Sequence, residues 1–168
     1  MHSRIFIIGF MGCGKTTHGK KLAKNLGYRF IDLDQWIENQ YELTVAEIFA
    51  QRGEEAFRDM ETEAIKALSK EEQIVISTGG GAPCHNDNME LLRSSGLTIY
   101  LQLTPAALAN RLTFSKTKRP LLADKRIEEL VPLIETMLSV RVPFYEKAAI
   151  IVDGLDGVDE RLLKVLKE

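Results

Sequence analysis

The 168-residue sequence predicts a three-layer α/β fold, in which a parallel β-sheet of mainly five strands lies between two layers of helices. Two observations lead to this prediction. Short apolar runs alternate with segments of helical periodicity along the whole chain. A glycine-rich turn also follows the first apolar run, where a strand would pass into a helix. The alternation continues without a linker or a repeat, so we expect one domain over residues 1–168.

Each predicted strand is a short apolar run, and each predicted helix is a segment of helical periodicity. The strands are predicted at residues 4–9, 29–32, 73–78, 97–103 and 148–152. The helices are predicted to begin near Lys15, Asp34, Thr44, Glu54, Asp87, Thr104, Lys125 and Asp156. Two starts carry capping signals, because Thr44 has Glu47 three residues later and Thr104 precedes Pro105. Strands joined by helices pair in parallel and are covered on both faces.

Composition and charge argue against several classes of protein. A net charge of −2 argues against a dedicated nucleic-acid binder, which is usually strongly basic. No apolar run approaches the roughly 20 residues of a membrane span, and the short first run leads directly into the glycine-rich turn, unlike a signal peptide. Cys13 and Cys84 form neither a disulfide framework nor a metal-ligand spacing. We therefore expect a cytoplasmic protein without a membrane or nucleic-acid partner.

The first strand leads into Gly9-Phe-Met-Gly-Cys-Gly-Lys-Thr16, which fits the phosphate-binding pattern G-x-x-x-x-G-K-[ST] at every fixed position. Its glycines allow successive N–H groups to point inward around an anion, and the next helix adds the positive end of its dipole. Lys15 would reach the β- and γ-phosphates, and the Thr16 hydroxyl would face Mg²⁺. A turn without a ligand is the alternative, but the complete match favours a triphosphate site.

Two aspartates, Asp32 and Asp34, end the second predicted strand. Residues two apart on an extended segment point to the same side, so both carboxylates are placed to face the γ-phosphate, one toward a metal and one toward an acceptor hydroxyl. The alternative is that Asp34 simply caps the helix that follows. Ser77 and Thr78 end the third strand, where many proteins with this motif have a metal-binding Asp, so Asp32 is the expected substitute.

Gly79, Gly80 and Gly81 follow the third strand. Three successive glycines allow a ligand to approach the backbone N–H donors closely, and they would be entropically costly in an ordinary loop.

Earlier in the chain, Arg58 and Glu61 are spaced to pair on one face of a helix. From spacing alone, a solvated surface ion pair is the favoured interpretation of Arg58.

Residues 113–125 lack helical periodicity and contain Lys116, Lys118 and Arg119, and Pro120 disfavours a helix at Arg119. An exposed basic loop is one interpretation. A lid that closes over bound phosphates and brings a cation to the transferred group is the other. Arg141 precedes Pro143, which we expect to disturb the helix there and turn Arg141 toward the site.

Six motifs occurring in one order are more specific than any single motif. They are Gly9-Phe-Met-Gly-Cys-Gly-Lys-Thr16, Asp32-Leu-Asp34, Gly53-Glu-Glu-Ala-Phe-Arg58-Asp-Met-Glu61, Gly79-Gly-Gly-Ala82, Arg119-Pro-Leu-Leu122 and Arg141-Val-Pro-Phe-Tyr145. The series resembles the shikimate kinases, P-loop phosphotransferases related to the nucleoside monophosphate kinases, over nearly the whole chain. The resemblance implies transfer of the ATP γ-phosphoryl group to the 3-hydroxyl of shikimate, in the biosynthesis of chorismate and the aromatic amino acids.

The resemblance also implies a role for each matching residue. Asp34 corresponds to the residue that holds the acceptor hydroxyl and either takes its proton or only positions it, and Lys15 and Arg119 correspond to the cations on the transferred group. The substrate-binding positions are Asp34, Arg58, Gly79, Gly80, Gly81 and Arg141. The ATP-binding positions are Gly12, Cys13, Gly14, Lys15, Thr16, Thr17, Arg111 and Arg119. Thr16 and Asp32 match the Mg²⁺ shell, and Glu61 the residue that orients Arg58.

Within the single domain, residues 33–61 correspond to a substrate-binding subdomain and residues from about 112 to 125 to the lid. We expect a monomer that binds ATP and shikimate. Two alternatives stay open: a related small-molecule kinase that acts on gluconate, and a nucleotide-binding module without phosphotransfer. Arg58, the glycine turn and Arg141 argue against the first. The guanine-specifying Asn-Lys-x-Asp element is absent, and candidates for the base and the lid cation are present, which argues against the second.

Overall fold

The computed structural model describes residues 2–115 and 125–167. A five-stranded, fully parallel sheet has the strand order β2-β3-β1-β4-β5, with helices packed on it. The strands are β1 Arg4–Ile8, β2 Arg29–Asp32, β3 Ile74–Ser77, β4 Leu97–Gln102 and β5 Ile150–Asp153. The helices are α1 Lys15–Leu26, α2 Leu33–Tyr41, α3 Val45–Leu68, α4 Asn88–Ser95, α5 Pro105–Thr113, α6 Ile127–Tyr145 and α7 Val158–Val165, with a short 3₁₀ helix at Ala82–Cys84. The predicted fold class is confirmed.

Strand β1 is the centre of the sheet and of the hydrophobic core. It pairs with β3 on one side and β4 on the other, and Ile5 to Ile8 are almost completely buried. A strand covered by helices on both faces needs apolar side chains at successive positions rather than at alternate ones, which explains the continuous apolar run. The chain leaves the carboxyl end of β1 directly into the phosphate-binding motif, so the core positions that motif at the edge of the sheet.

The two predicted capping signals are both present. The Thr44 side chain accepts a hydrogen bond from the Glu47 N–H, and the Glu47 carboxylate accepts one from the Thr44 N–H. At the start of α5, the Thr104 hydroxyl accepts from the Ala107 N–H, with Pro105 as the first helical residue. These contacts satisfy N–H groups that have no partner within the helix.

Helix α3 contains a bend that the sequence analysis treated as the boundary between two helices. Gly53 has a φ of 80° and a ψ of 172°, a conformation open in practice only to glycine, and helical geometry resumes after it. The predicted starts near Thr44 and Glu54 therefore lie on the two sides of one bent element. The bend sets the direction of the second half of α3, which carries Arg58.

Asp32, not Asp34, caps α2, because its side chain accepts a hydrogen bond from the Gln35 N–H at 3.1 Å, so the alternative in which Asp34 is simply a helix cap is excluded. One local prediction is wrong. Pro143 does not disturb α6 at Arg141, since the helix continues to Tyr145. Pro143 lies in the last turn, where the loss of one backbone hydrogen bond is tolerated. In the described ranges, no helix has the length and apolarity required to cross a membrane.

Candidate active site

A cavity of about 420 Å³ lies at the carboxyl edge of the sheet. The residues that line it are Met11, Gly12, Gly14, Lys15, Thr16, Thr17, Asp32, Asp34, Ser77, Thr78, Gly79 and Gly80. They lie at or just after the carboxyl ends of β1, β2 and β3, three strands that are adjacent in the sheet. Because parallel strands end at the same edge, residues far apart in sequence meet there. The phosphate-binding motif, the two aspartates and the glycine turn thus share one cavity.

The phosphate-binding motif has the backbone conformation that its glycines permit. Gly12 and Gly14 have φ angles of 81° and 99°, and Gly14 is the residue before the first turn of α1. The Lys15 ammonium group donates hydrogen bonds to the Gly9 carbonyl at 2.8 Å and the Phe10 carbonyl at 3.0 Å. Cys13 is completely buried, and its N–H donates to the Phe10 carbonyl at 3.2 Å.

Thr16 and Asp32 are in direct contact beside this loop. The Thr16 hydroxyl donates to Asp32 Oδ2 at 3.2 Å, while Asp32 Oδ1 caps α2. The two oxygens of Asp32 therefore have different tasks, one in the helix and one facing the cavity. The part of the chain that the structure describes contains no cluster of three or more His, Cys, Asp or Glu side chains placed to hold a metal ion.

Asp34 lies in the first turn of α2 with one oxygen, Oδ1, buried and without a hydrogen-bond partner among the described residues. Burial raises the pKa of Asp34 to about 6, and repulsion by Asp32 adds to the rise, whereas Lys15 and Arg58 oppose it. A carboxylate in this environment is poorly solvated and only partly compensated by nearby cations. It is a strong candidate for contact with a ligand hydroxyl.

The glycine turn is packed against charged side chains from three other segments. A Cβ atom on Gly79 would lie 3.1 Å from Asp34 Oδ1, one on Gly80 would lie 3.0 Å from Arg141 Nη1, and one on Gly81 would lie 2.7 Å from Arg58 Nη1. All three glycines have φ angles outside the left-handed region. Their small size, rather than their backbone freedom, allows the charged groups to approach.

Arg58 is not part of a solvated surface pair. Its guanidinium donates to Glu61 Oε2 at 2.9 Å and to Glu54 Oε1 at 3.1 Å, and the Arg58 and Glu61 side chains are only 14% and 1% exposed. Burial raises the pKa of Glu61 to about 7, and the Arg58 guanidinium opposes the rise. The surface interpretation is therefore wrong, since spacing along a helix does not report whether its face is covered. Glu61 holds Arg58 against the glycine turn.

Arg141 reaches the same place from α6. Its guanidinium lies over the Phe10 ring at 5.4 Å from the ring centre, and Nη1 is buried without a hydrogen-bond partner in the described part of the chain. Asp34 Oδ1 and Arg141 Nη1 are the two buried side-chain polar atoms of the described residues that lack a partner. Buried polar groups are rarely left unpaired, so the pair marks a place for a polar ligand.

Arg111 and Arg119 were both predicted to contact the nucleotide. Arg111 donates to the Cys13 carbonyl at 3.1 Å and the Gly154 carbonyl at 2.8 Å, so it joins the phosphate-binding loop to the segment after β5. Arg119 lies outside the described residues, as do Lys116 and Lys118. Of the predicted lid, Leu112 and Thr113 belong to α5, and residues 116–124 lie outside the description.

Two further residues bind the glycine turn or the alanine that follows it, and no role was predicted for either. The Tyr145 hydroxyl donates to the Gly80 carbonyl at 2.6 Å, and the Asn88 amide donates to the Ala82 carbonyl at 2.9 Å. Tyr145 had a usable signal, because it lies four residues after Arg141 on a helix and therefore on the same face. Asn88 had none, since its partner is determined by how α4 packs beside the turn.

Comparison with known proteins identifies this arrangement. The family model described as shikimate kinase matches residues 11–167 of the chain. The chain belongs to the shikimate kinase family. As a member of this family it is an ATP-dependent kinase of the shikimate pathway, and it phosphorylates shikimate.

Individual shikimate kinases match over nearly their full length. The shikimate kinase of Parabacteroides distasonis is 50% identical over 97% of this chain and 99% of its own length. The crystal structure of the shikimate kinase from Bacteroides thetaiotaomicron superimposes with a TM-score of 0.94 at 41% identity, covering 100% of both chains. The shikimate kinase from Acinetobacter baumannii, solved in complex with shikimate, gives a TM-score of 0.84 at 34% identity, covering 98% of this chain and 91% of its own.

Proposed function

We propose that Asp34, Arg58 and Arg141 hold shikimate against the glycine turn, with its 3-hydroxyl facing the γ-phosphate of an ATP bound at Lys15. The observation that carries this proposal is the pair of unpartnered buried atoms, Asp34 Oδ1 and Arg141 Nη1, beside the phosphate-binding loop. One is an acceptor that needs a donor such as a hydroxyl, and the other is a donor that needs an anion. A small acid with neighbouring hydroxyls supplies both.

The carboxylate of shikimate binds between Arg58 and Arg141 in this proposal. Both guanidinium groups approach the glycine turn, one beside Gly81 and the other beside Gly80. A guanidinium forms two parallel hydrogen bonds with a carboxylate, and two such groups fix its orientation. Gly79, Gly80 and Gly81 provide space and backbone N–H donors on the same side.

Asp34 accepts a hydrogen bond from the 3-hydroxyl and takes its proton as the phosphoryl group is transferred. With a pKa of about 6, Asp34 is mostly ionised at neutral pH and is still more basic than an ordinary aspartate. Its position in the first turn of α2 is fixed by the cap at Asp32. The same contact aligns the hydroxyl oxygen for attack, which accounts for much of the rate in phosphoryl transfer.

The phosphates of ATP bind to backbone N–H groups of Gly12, Cys13, Gly14 and Lys15 and to the first turn of α1, including Thr16 and Thr17. Lys15 exchanges its bonds with the Gly9 and Phe10 carbonyls for phosphate oxygens. Arg111 lies beside the adenine, supported by its position between the phosphate-binding loop and Gly154. Arg119, on the lid from about 112 to 125, adds a second cation to the transferred group.

Thr16 and Asp32 fit a magnesium ion bound with the nucleotide. They present a hydroxyl and a carboxylate oxygen within 3.2 Å of each other at the edge of the phosphate cavity. Mg²⁺ prefers such oxygen ligands and usually takes only one or two from the protein. When bound, the ion neutralises charge on the β- and γ-phosphates. The protein holds Asp32 in place for this role, because Asp32 Oδ1 also caps α2.

The proposal extends to the organisation of the molecule and its setting. Residues 1–168 form one kinase domain, in which residues 33–61 bind the acceptor, and the enzyme acts as a monomer in the cytoplasm. Cys13 and Cys84 are free thiols, which supports a reducing compartment.

A panel of acceptors tests the proposal directly. ADP release is followed with shikimate, gluconate and a nucleoside monophosphate as acceptors, with Mg²⁺ present and after its removal by chelation. We expect turnover with shikimate alone among the three, and its loss on chelation. Turnover with gluconate but not shikimate would show that the acceptor site has been assigned to the wrong acid.

A further inference from the structure

Tyr145, the last residue of α6, forms a buried contact that the proposed chemistry does not use. Its side chain is completely buried, its ring packs against Tyr100 with 5.0 Å between ring centres, and its hydroxyl donates to the Gly80 carbonyl at 2.6 Å. Burial raises the pKa of Tyr145, so the phenol stays protonated and remains a donor throughout the working range of an enzyme.

Gly80 is held from one side by two residues of the same helix. Arg141 and Tyr145 are four residues apart on α6, so their side chains project from one face. Arg141 Nη1 lies 3.0 Å from the position of a Cβ on Gly80, and the Tyr145 hydroxyl binds the carbonyl of the same residue. Helix α6 therefore supplies both the hydroxyl that binds Gly80 and the guanidinium that lies beside it.

The bond to Tyr145 also fixes the direction of the next N–H group. The peptide unit between Gly80 and Gly81 is planar and trans, so the Gly81 N–H points opposite to the Gly80 carbonyl, away from Tyr145. Gly81 is buried, yet neither its N–H nor that of Gly80 has an acceptor among the described residues. Buried N–H groups are almost always paired, so the Gly81 N–H is a donor prepared for a ligand.

We propose that Tyr145 is a positioning residue for the acceptor: by holding the Gly80 carbonyl, its hydroxyl fixes the orientation of the Gly80–Gly81 peptide and so keeps the Gly81 N–H available to the bound substrate. Tyr145 does not contact the substrate in this arrangement. The inference rests on the proposed binding of shikimate at the glycine turn and names the group that makes the turn rigid. Loss of the hydroxyl frees the Gly80–Gly81 peptide to rotate, so the substrate has to restore its orientation on binding.

The test compares Tyr145→Phe with Tyr100→Phe. The first change removes the hydroxyl bound to Gly80, and the second removes a hydroxyl from the neighbouring tilted ring, which forms no hydrogen bond with Gly80. For Tyr145→Phe we expect the KM for shikimate to rise about tenfold, with the KM for ATP within about twofold of wild type. For Tyr100→Phe we expect both KM values to stay at the wild-type level. A lower melting temperature with an unchanged KM for shikimate would assign Tyr145 a purely structural role and overturn the proposal.

A measurement on the unmodified chain keeps the test decisive even if Tyr145→Phe fails to fold. Shikimate is titrated against protein labelled with ¹⁵N, and the amide signals of Gly81 and Gly27 are followed. We expect a large shift for Gly81 and none for Gly27, which ends α1. An unmoved Gly81 signal while shikimate is being turned over contradicts a contact between Gly81 and the substrate and with it the role of Tyr145, but not the transfer of phosphate to shikimate. Absence of shikimate turnover by the unmodified chain contradicts the proposed function instead.

Discussion

At the scale of the residue, the catalytic role proposed for Asp34 carries a cost in stability. Its carboxylate is buried beside Asp32, and one oxygen has no partner among the described residues. Such a site favours the protonated form, whereas acceptance of a proton from the substrate requires the ionised form. Functional residues often carry a cost of this kind, because the environment that makes a group reactive is not the one that solvates it best.

Asp34→Asn keeps the shape of the side chain and removes the proton acceptor. We expect turnover with shikimate to fall by roughly 10²- to 10⁴-fold, measured by coupled ADP release. In the wild type, kcat/KM should decline on the acid side of about pH 6, where Asp34 becomes protonated. Glu72→Gln, at an exposed carboxylate before β3, is the control and should leave both properties unchanged. Near-normal turnover of Asp34→Asn would exclude Asp34 as the base.

The same substitution should stabilise the folded chain. The folded-state pKa of Asp34 lies above its ordinary value of 3.8, so its contribution to stability is full below about pH 4 and is lost as pH rises through about 6. At pH 7, Asp34→Asn should therefore raise the free energy of unfolding by about 1 to 3 kcal/mol. Urea unfolding at pH 7 and pH 4 measures this, and the gain should shrink at the lower pH. A gain of equal size at both values would contradict the assigned pKa.

Arg58→Lys keeps the positive charge but removes the planar guanidinium. We expect the KM for shikimate to rise roughly 10- to 100-fold. A lysine cannot form two parallel hydrogen bonds with the substrate carboxylate, and the guanidinium contact with Glu61 is lost as well. Arg93→Lys is a matched control, since Arg93 pairs with Glu90 at the same spacing but on an exposed surface. It should change neither KM. If the two substitutions had equal effects, burial of Arg58 would have no bearing on substrate binding.

At the scale of the element, the bend of α3 determines where Arg58 and Glu61 point. Gly53 and Gly27 both have positive φ angles and open space around the position of a Cβ, so they differ in backbone conformation rather than in packing. Gly27 has a ψ of 27°, in the ordinary left-handed region, whereas Gly53 has a ψ of 172°, which other residues rarely adopt. The two positions form a natural matched pair.

We expect Gly53→Ala to lower the free energy of unfolding by about 2 to 3 kcal/mol and Gly27→Ala by about 1 kcal/mol. Gly53→Ala should also raise the KM for shikimate, because relief of the strain straightens α3 and moves Arg58 relative to the glycine turn. Gly27→Ala should leave that KM unchanged. Chemical denaturation and steady-state kinetics provide both measurements. A larger loss of stability in Gly27→Ala would show that the bend is not held by Gly53.

At the scale of the whole molecule, the proposed site has shikimate join segments that are otherwise linked through the core. Asp34 is on α2, Arg58 on α3 and Arg141 on α6, and the glycine turn follows β3. A ligand that binds all of them stabilises the folded state by mass action, by about 2.7 kcal/mol at 100 times its Kd. For a chain of this length that corresponds to a rise in melting temperature of roughly 5 to 10 °C.

Arg141→Met should abolish that rise while changing the unliganded chain little. The substitution removes a buried donor without a partner, which offsets the loss of the contact with Phe10, so we expect a change in unfolding free energy within about 1 kcal/mol. Melting curves with and without shikimate measure both effects, with gluconate as the ligand control. A full shikimate-induced rise in the variant would remove Arg141 from the site.

Local sequence patterns account for the strands, most helix starts and the phosphate-binding loop. The run from Ile5 to Ile8, the capping pair Thr44 and Glu47, and the glycines of the loop act through neighbours a few residues away. Their physical effects are therefore readable in the order of residues. The family resemblance carried the assignment of function further than spacing could, because it joined motifs that are far apart in the chain.

Burial and long-range contact could not be read in this way. Spacing alone favoured a surface position for Arg58, and it gave no indication that Asp34 Oδ1 lacks a partner or that Tyr145 holds Gly80 across 65 positions of sequence. These features depend on which elements the parallel sheet and its crossover helices bring to one edge. The free energy of a charge is set by its surroundings in space, so the chemistry of this site emerges only when the chain has folded.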